Sequence, residues 1–220
     1  VNNIAVINQH QGNYEVALQY FNRSVTLKTE IGDWAEVAGS NLNIGNVYGY
    51  MGQDSLSLEY SLKAIDVADQ HGALMYKGQG LNNVGSLYLD RKKYDQALPY
   101  LEEGLLVRLE LGDLKGEASS RINLGHCLVG LNRFVDGEAE LLHALEIATN
   151  IGAKQEIQNA HLHLSELYEV QPGRMGEAIH HLRQSTQMRD SILNTENQRQ
   201  ITELQTRYET AKKERLLQAS

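Results

Sequence analysis

The chain has 220 residues, 41% of them hydrophobic, and a single cysteine, Cys127. That is enough apolar material for a packed core without cross-links, and it excludes an intramolecular disulfide framework. The 20 Lys and Arg against 28 Asp and Glu leave a net charge of −8 with no basic stripe, so nothing drives counterion release on nucleic acid, and an anionic membrane surface would repel the chain.

Two prolines and short, scattered apolar groups favour helices over strands and give no membrane-spanning run. The first residue is Val1, and no charged-plus-apolar leader follows it. The chain therefore reads as a segment of something longer, suited to the cytoplasm or to the soluble part of a membrane-anchored sensor.

Taken in chain order, the elements repeat. A short helix around Ile4 and Ala5 precedes a second from Tyr14 through Ala17 and Ser24 to Ile31-Gly32-Asp33. The next pair is a helix with Leu42, Ile44, Gly45, Val47 and Tyr48, ending near Tyr50, and one from about Asp54 through Ala64 to His71-Gly72-Ala73. A third carries Val84, Gly85 and Tyr88 to about Asp90, then Tyr94, Ala97 and Gly104 to Leu111-Gly112-Asp113. The fourth carries Leu124, Gly125 and Leu128 to about Gly130, then Phe134 and Ala144 to Ile151-Gly152-Ala153. In the fifth, Leu164, Ser165 and Tyr168 keep the phase, but Ala178 arrives one residue late, so a turn at Gln171-Pro172-Gly173-Arg174 must absorb the extra residue.

Apolar residues within each element recur at three and four, as in Leu141, Leu142, Leu145 and Ala148, which is the helical period. The expected architecture is all-α, with five helix pairs bounded approximately at 1–32, 33–72, 73–112, 113–152 and 153–191. Gly32, Gly72, Gly112 and Gly152 close four of them, because glycine adopts the left-handed conformation at a helix end without a Cβ penalty. Residues 192–220 follow as a charged helix. Thr195 and Gln198 form a possible capping box that would start it, and Ile201, Leu204, Tyr208, Ala211 and Leu216 or Leu217 give it a narrow apolar seam. That seam permits two uses: capping the fifth repeat, or a weak coiled coil that dimerises the chain.

The order Leu-Gly-x-x-Tyr, then Gly-x-Tyr-x-x-Ala, then a small residue resembles the tetratricopeptide repeat, over residues 2–189. The 40-residue period is similar to the arrays of kinesin light chain, of peptide-sensing bacterial regulators and of bacterial sensor kinases. The resemblance implies a right-handed α-solenoid whose concave groove, lined by the first helices, holds a protein or an extended peptide. Residues 201–214 resemble the connector that follows such arrays in sensor histidine kinases and diguanylate cyclases. The reading is of a binding module, without catalysis or cofactor, serving as the sensory or scaffolding segment of a bacterial signalling protein. The alternatives are a self-contained peptide-sensing regulator and an assembly scaffold.

One residue before each apolar marker stands a polar one: Asn3, Asn43, Asn83, Asn123 and then His163. In the family this position faces the groove, and an Asn amide can both donate to and accept from a peptide backbone. The same row also fits hydrogen bonds between duplicated repeats. One turn on stand Asn46, Ser86, His126 and Glu166, with Tyr50 and Asp90 further along. No cluster of Lys or Arg offers a clamp for a terminal carboxylate, and Arg121 is a lone candidate. His161 with His163 and His180 with His181 lack the i, i+4 spacing of two metal ligands on one helix face, so no metal site is expected. Cys127 aligns with Ile7, Val47, Leu87 and Leu167 and reads as a small core residue.

Overall fold

A computed structural model describes residues 1–218, with side chains through residue 206 apart from 203. Ten helices run in order: α1 (Asn2–His10), α2 (Tyr14–Glu30), α3 (Trp34–Tyr50), α4 (Asp54–Gln70), α5 (Leu74–Asp90), α6 (Tyr94–Leu111), α7 (Leu114–Gly130), α8 (Phe134–Ile151), α9 (Lys154–Glu169) and α10 (Met175–Gln218). No strand occurs among the described residues, and no helix there is long and apolar enough to cross a membrane.

One turn design joins almost every pair of helices. At the repeat boundaries, Asp33, Ala73, Asp113 and Ala153 donate their backbone N–H to the carbonyls of Lys28, Ala68, Arg108 and Ala148, at 2.8–3.1 Å. Inside the repeats, Asn13, Gln53, Lys93 and Arg133 do the same to Asn8, Tyr48, Tyr88 and Leu128. Each closure reaches five residues back and needs a left-handed residue just before the donor. Gly32, Gly72, Gly112 and Gly152 fill that place between repeats. Within repeats it falls to Gly12 and Gly52, but also to Lys92 (φ 54°) and Asn132 (φ 60°), where side chains tolerate the conformation at some cost. In the fifth unit the left-handed residue is Gly173, one position late, where the sequence requires an extra residue to be absorbed.

Two aspartates reinforce the boundaries. Asp33 and Asp113 accept from the backbone N–H of Glu36 and Gly116 at the starts of α3 and α7, and they bind back to Lys28 (2.7 Å) and Arg108 (2.6 Å) on the preceding helices.

Packing within each pair depends on the small residue after the apolar marker. A Cβ on Gly85 would run into the Leu101 side chain, and one on Gly125 would sit 2.7 Å from Leu141 Cγ and 3.0 Å from the Gly137 carbonyl oxygen. Helices can approach this closely only because neither position carries a side chain. The core is correspondingly strung out: one cluster gathers Ala5, Ala17, Phe21, Ile44 and Val47, a second centres on Leu101, Leu124 and Cys127, and a third on Leu141, Leu164, Leu167 and Tyr168. That is how a solenoid is held, each unit covering its neighbour. Cys127 is fully buried, and burial pushes its thiol up to about 11, so it is a core residue.

The C-terminal region departs from expectation. No new helix begins at Thr195: α10 runs unbroken from Met175, and the Thr195 hydroxyl donates to the Ser191 carbonyl within the same helix (2.8 Å). A capping box needs a non-helical N-cap, and here the residue lies mid-helix. Ile201 and Leu204 are exposed, so they do not cover the fifth repeat. The Tyr208, Ala211, Leu216 and Leu217 side chains of the expected seam lie outside the described residues.

Candidate functional site in the concave groove

The first helices touch one another along the array, α3 on α5, α5 on α7 and α7 on α9, whereas the second helices α4, α6 and α8 make no comparable contact with each other among the described residues. The array therefore curves with α3, α5, α7 and α9 on its inner side.

Between α3 and α5 lies an open pocket of about 350 Å³ lined by Asn46, Tyr50, Asp54, Asn83, Ser86 and Asp90, among others. Five of these six belong to the expected groove set. Asp54 does not. It opens α4 below Tyr50 and pairs with Arg91 at 2.9 Å, and only the fold of α4 against α3 brings it in. A smaller cavity of about 210 Å³ adjoins, with Asn43, Asn46, Tyr76, Gln79 and Asn83 in its wall. The structure thus gathers Asn43, Asn46, Tyr50, Asn83, Ser86 and Asp90 on one stretch of the inner face.

The asparagine row does not stand free. Asn83 Nδ2 donates to Asn46 Oδ1 and Asn123 Nδ2 to Asn82 Oδ1, each at 3.0 Å and each across a repeat boundary. An amide carries two N–H donors and two acceptor lone pairs, so each bond uses only part of its capacity. At the far end, His163 replaces asparagine: its ring stacks on His126 at 4.4 Å, and its Nδ1 lies 2.8 Å from Glu166 Oε2. The groove residues consequently fall into an amide-rich part at α3–α5 and an imidazole-rich part at α7–α9.

Arg121 is not a free clamp. Its guanidinium lies between Glu117 (2.8 Å) and Glu140 (2.6 Å) with 12% of the side chain exposed, so its charge is already matched. A further inter-repeat contact had no signal in the motif. Tyr76 donates its hydroxyl to Glu36 at 3.0 Å, and burial together with that carboxylate pushes its phenol up to about 12. The two residues are 40 apart, so a register comparison for complementary partners could have found them.

A curved stack of helix pairs with a polar inner face defines a repeat-type binding scaffold. Two family models, both described as tetratricopeptide repeat, match residues 1–70 and 79–111. Those two stretches are tetratricopeptide repeats, and the helix pair after them, α7 with α8, keeps the same turn design. The chain is 26% identical over 117 residues, 53% of its length, to response regulator aspartate phosphatase H of Bacillus subtilis (strain 168), covering 31% of that protein. Among solved structures it resembles BtubC from P. vanneervenii, with TM-score 0.72, 17% identity and coverage of 86% of this chain and 78% of that one. It also resembles a Rap protein complexed with competence and sporulation factor, with TM-score 0.71, 19% identity and coverage of 89% and 56%. The chain spans less than half the length of the curated relatives it matches.

Proposed function

We propose that the array binds an extended peptide or an extended segment of a partner protein along α3, α5, α7 and α9, as part of a bacterial signalling protein. The observation that carries this is the pocket at α3–α5, where amide, hydroxyl, phenol and carboxylate groups from two consecutive repeats converge. Asn46 and Asn83 hold each other in place while keeping spare donor and acceptor capacity, which is what backbone recognition independent of peptide sequence requires. Tyr50 adds a flat, exposed ring at the rim, and aromatic anchors of this kind carry much of the energy at binding surfaces. Asp54 is matched by Arg91, which leaves Asp90 as the carboxylate that favours a neutral or basic ligand there.

The signalling context rests on relatives named as a response-regulator phosphatase and a regulatory protein. The proposal does not extend to the phosphatase activity, because the groove groups are arranged for hydrogen bonding and none is paired as a nucleophile with a base.

The test is selection from a phage-displayed library of random linear peptides against the 220-residue chain, followed by affinity measurement on Tyr50→Ala and Asp90→Asn. Expected are linear binders that lose at least about tenfold affinity on either variant, roughly the loss of one anchor contact of 1.4 kcal/mol. Binders indifferent to both substitutions, or no binders, would reject the groove.

A further inference from the structure

The relation that pairs Asn83 with Asn46 also sets His163 against His126: in each case a residue on one first helix meets the residue 37 positions earlier on the first helix before it. At α3–α5 both are amides, hydrogen-bonded at 3.0 Å. At α7–α9 both are imidazoles, with ring centres 4.4 Å apart and planes 19° from parallel. Glu166, three residues on from His163 and so on the same face of α9, brings a carboxylate to the pair. One ligand-type atom from each of the three lies within 4.8 Å of the other two. We propose that His126, His163 and Glu166 form a binding site for a divalent transition-metal ion of the zinc type on the concave face.

Two imidazole nitrogens and a carboxylate oxygen suit zinc and its neighbours, whereas calcium and magnesium demand oxygen donors throughout. Zinc bonds of about 2.0–2.2 Å set the donors of a tetrahedral site roughly 3.3 Å apart, so this cluster must close by about 1.5 Å at most. Because the rings are nearly parallel, one must also turn about its Cβ–Cγ bond to aim its lone pair inward. The groove side leaves room for that: 19% of the His163 side chain and 52% of Glu166 are exposed. Three protein donors leave a fourth position open.

No other first-helix interface offers this set. The equivalent places hold Asn46 with Asn83 and Ser86 with Asn123, none of which supplies a nitrogen lone pair. Another histidine contact, His161 Nδ1 to His181 Nδ1 at 2.8 Å, has no third ligand-type atom within 4.8 Å of both among the described residues.

The experiment is calorimetric titration of the EDTA-stripped 220-residue chain with zinc chloride, with magnesium chloride as control and cobalt(II) absorption as a spectroscopic check. Expected are one zinc per chain, the intense visible bands of low-coordinate cobalt, and no magnesium heat. His163→Asn restores the residue found at 43, 83 and 123, so it should leave melting in EDTA unchanged while weakening zinc at least tenfold. Glu166→Gln should act in the same direction. The site is rejected if the stripped protein takes up no zinc, if magnesium competes equally, if His163→Asn binds within about threefold of the parent, or if His161→Asn/His181→Asn abolishes binding instead. The titration uses no peptide, so its outcome is independent of the peptide reading above.

Discussion

Gly125 provides a quantitative test of how the repeats are held together. A Cβ there would lie 2.7 Å from Leu141 Cγ and 3.0 Å from the Gly137 carbonyl oxygen, whereas at Gly49, also helical, the nearest atom to a Cβ is Ser57 Oγ at 3.4 Å, an ordinary contact. Leu141 is fully buried and the carbonyl belongs to the α8 backbone, so neither can yield without moving α8 from α7. Replacing either glycine by alanine gains helix propensity, up to about 1 kcal/mol. The difference between the two variants removes that shared gain and isolates the steric cost, about 1–3 kcal/mol for overpacking a tight core. Gly49→Ala should therefore equal or exceed the parent in stability, and Gly125→Ala should fall below Gly49→Ala by that margin. The assay is urea unfolding followed by far-ultraviolet circular dichroism, with the denaturant slope compared across all three proteins, because stacked repeats can lose two-state behaviour. At roughly 2–4 °C per kcal/mol for a chain of this size, the melting temperatures should separate by about 2–12 °C. Equal stability of the two variants, or Gly125→Ala the more stable, would refute the close approach of α7 and α8.

Asn83→Ala should cost roughly 0.5–1.5 kcal/mol of stability, since it removes a partly buried inter-repeat bond to Asn46; an unchanged melting curve would show that bond to be dispensable. Burial, with His181 and His180 nearby, holds His161 down to about 4 from the ordinary imidazole value of 6.5. The unfolded chain then binds more protons than the folded one between those values, so stability falls as pH drops from about 6.5 toward 4. His161→Gln should flatten that part of the melting-temperature profile, and a profile identical to the parent's would contradict the burial argument. Removing residues 195–220 should leave the melting temperature within about a degree, because Ile201 and Leu204 cover nothing. Light scattering on the same pair of proteins tests the seam: a dimer for 1–220 and a monomer for 1–194 would establish pairing through α10.

The sequence alone determined the architecture. A 40-residue phase of glycines, small residues and apolar markers is local information, because a left-handed turn or a close helix contact constrains the residue at that place whatever the rest of the chain does. Helix ends at Tyr50, Asp90 and Gly130 followed from it. Lys92 and Asn132 escaped the pattern, since the turn tolerates them and only the backbone reveals their conformation. The start of a helix at Thr195 was misread because a Thr-x-x-Gln pattern looks alike at a helix start and inside a helix, and the preceding turn that would tell them apart is absent.

Contacts between repeats were decided by tertiary structure. Which residue 37 or 41 positions away an asparagine meets depends on the angle at which one helix pair stacks on the next, and periodicity carries no record of that angle. So Asn83 with Asn46, Asn123 with Asn82, and His126 against His163 became visible only once the pairs were stacked. The histidines show this most clearly: His163 and Glu166 share a face of α9 at a spacing the sequence carries, but that His126 of α7 lies against them depends on how the two repeats stack.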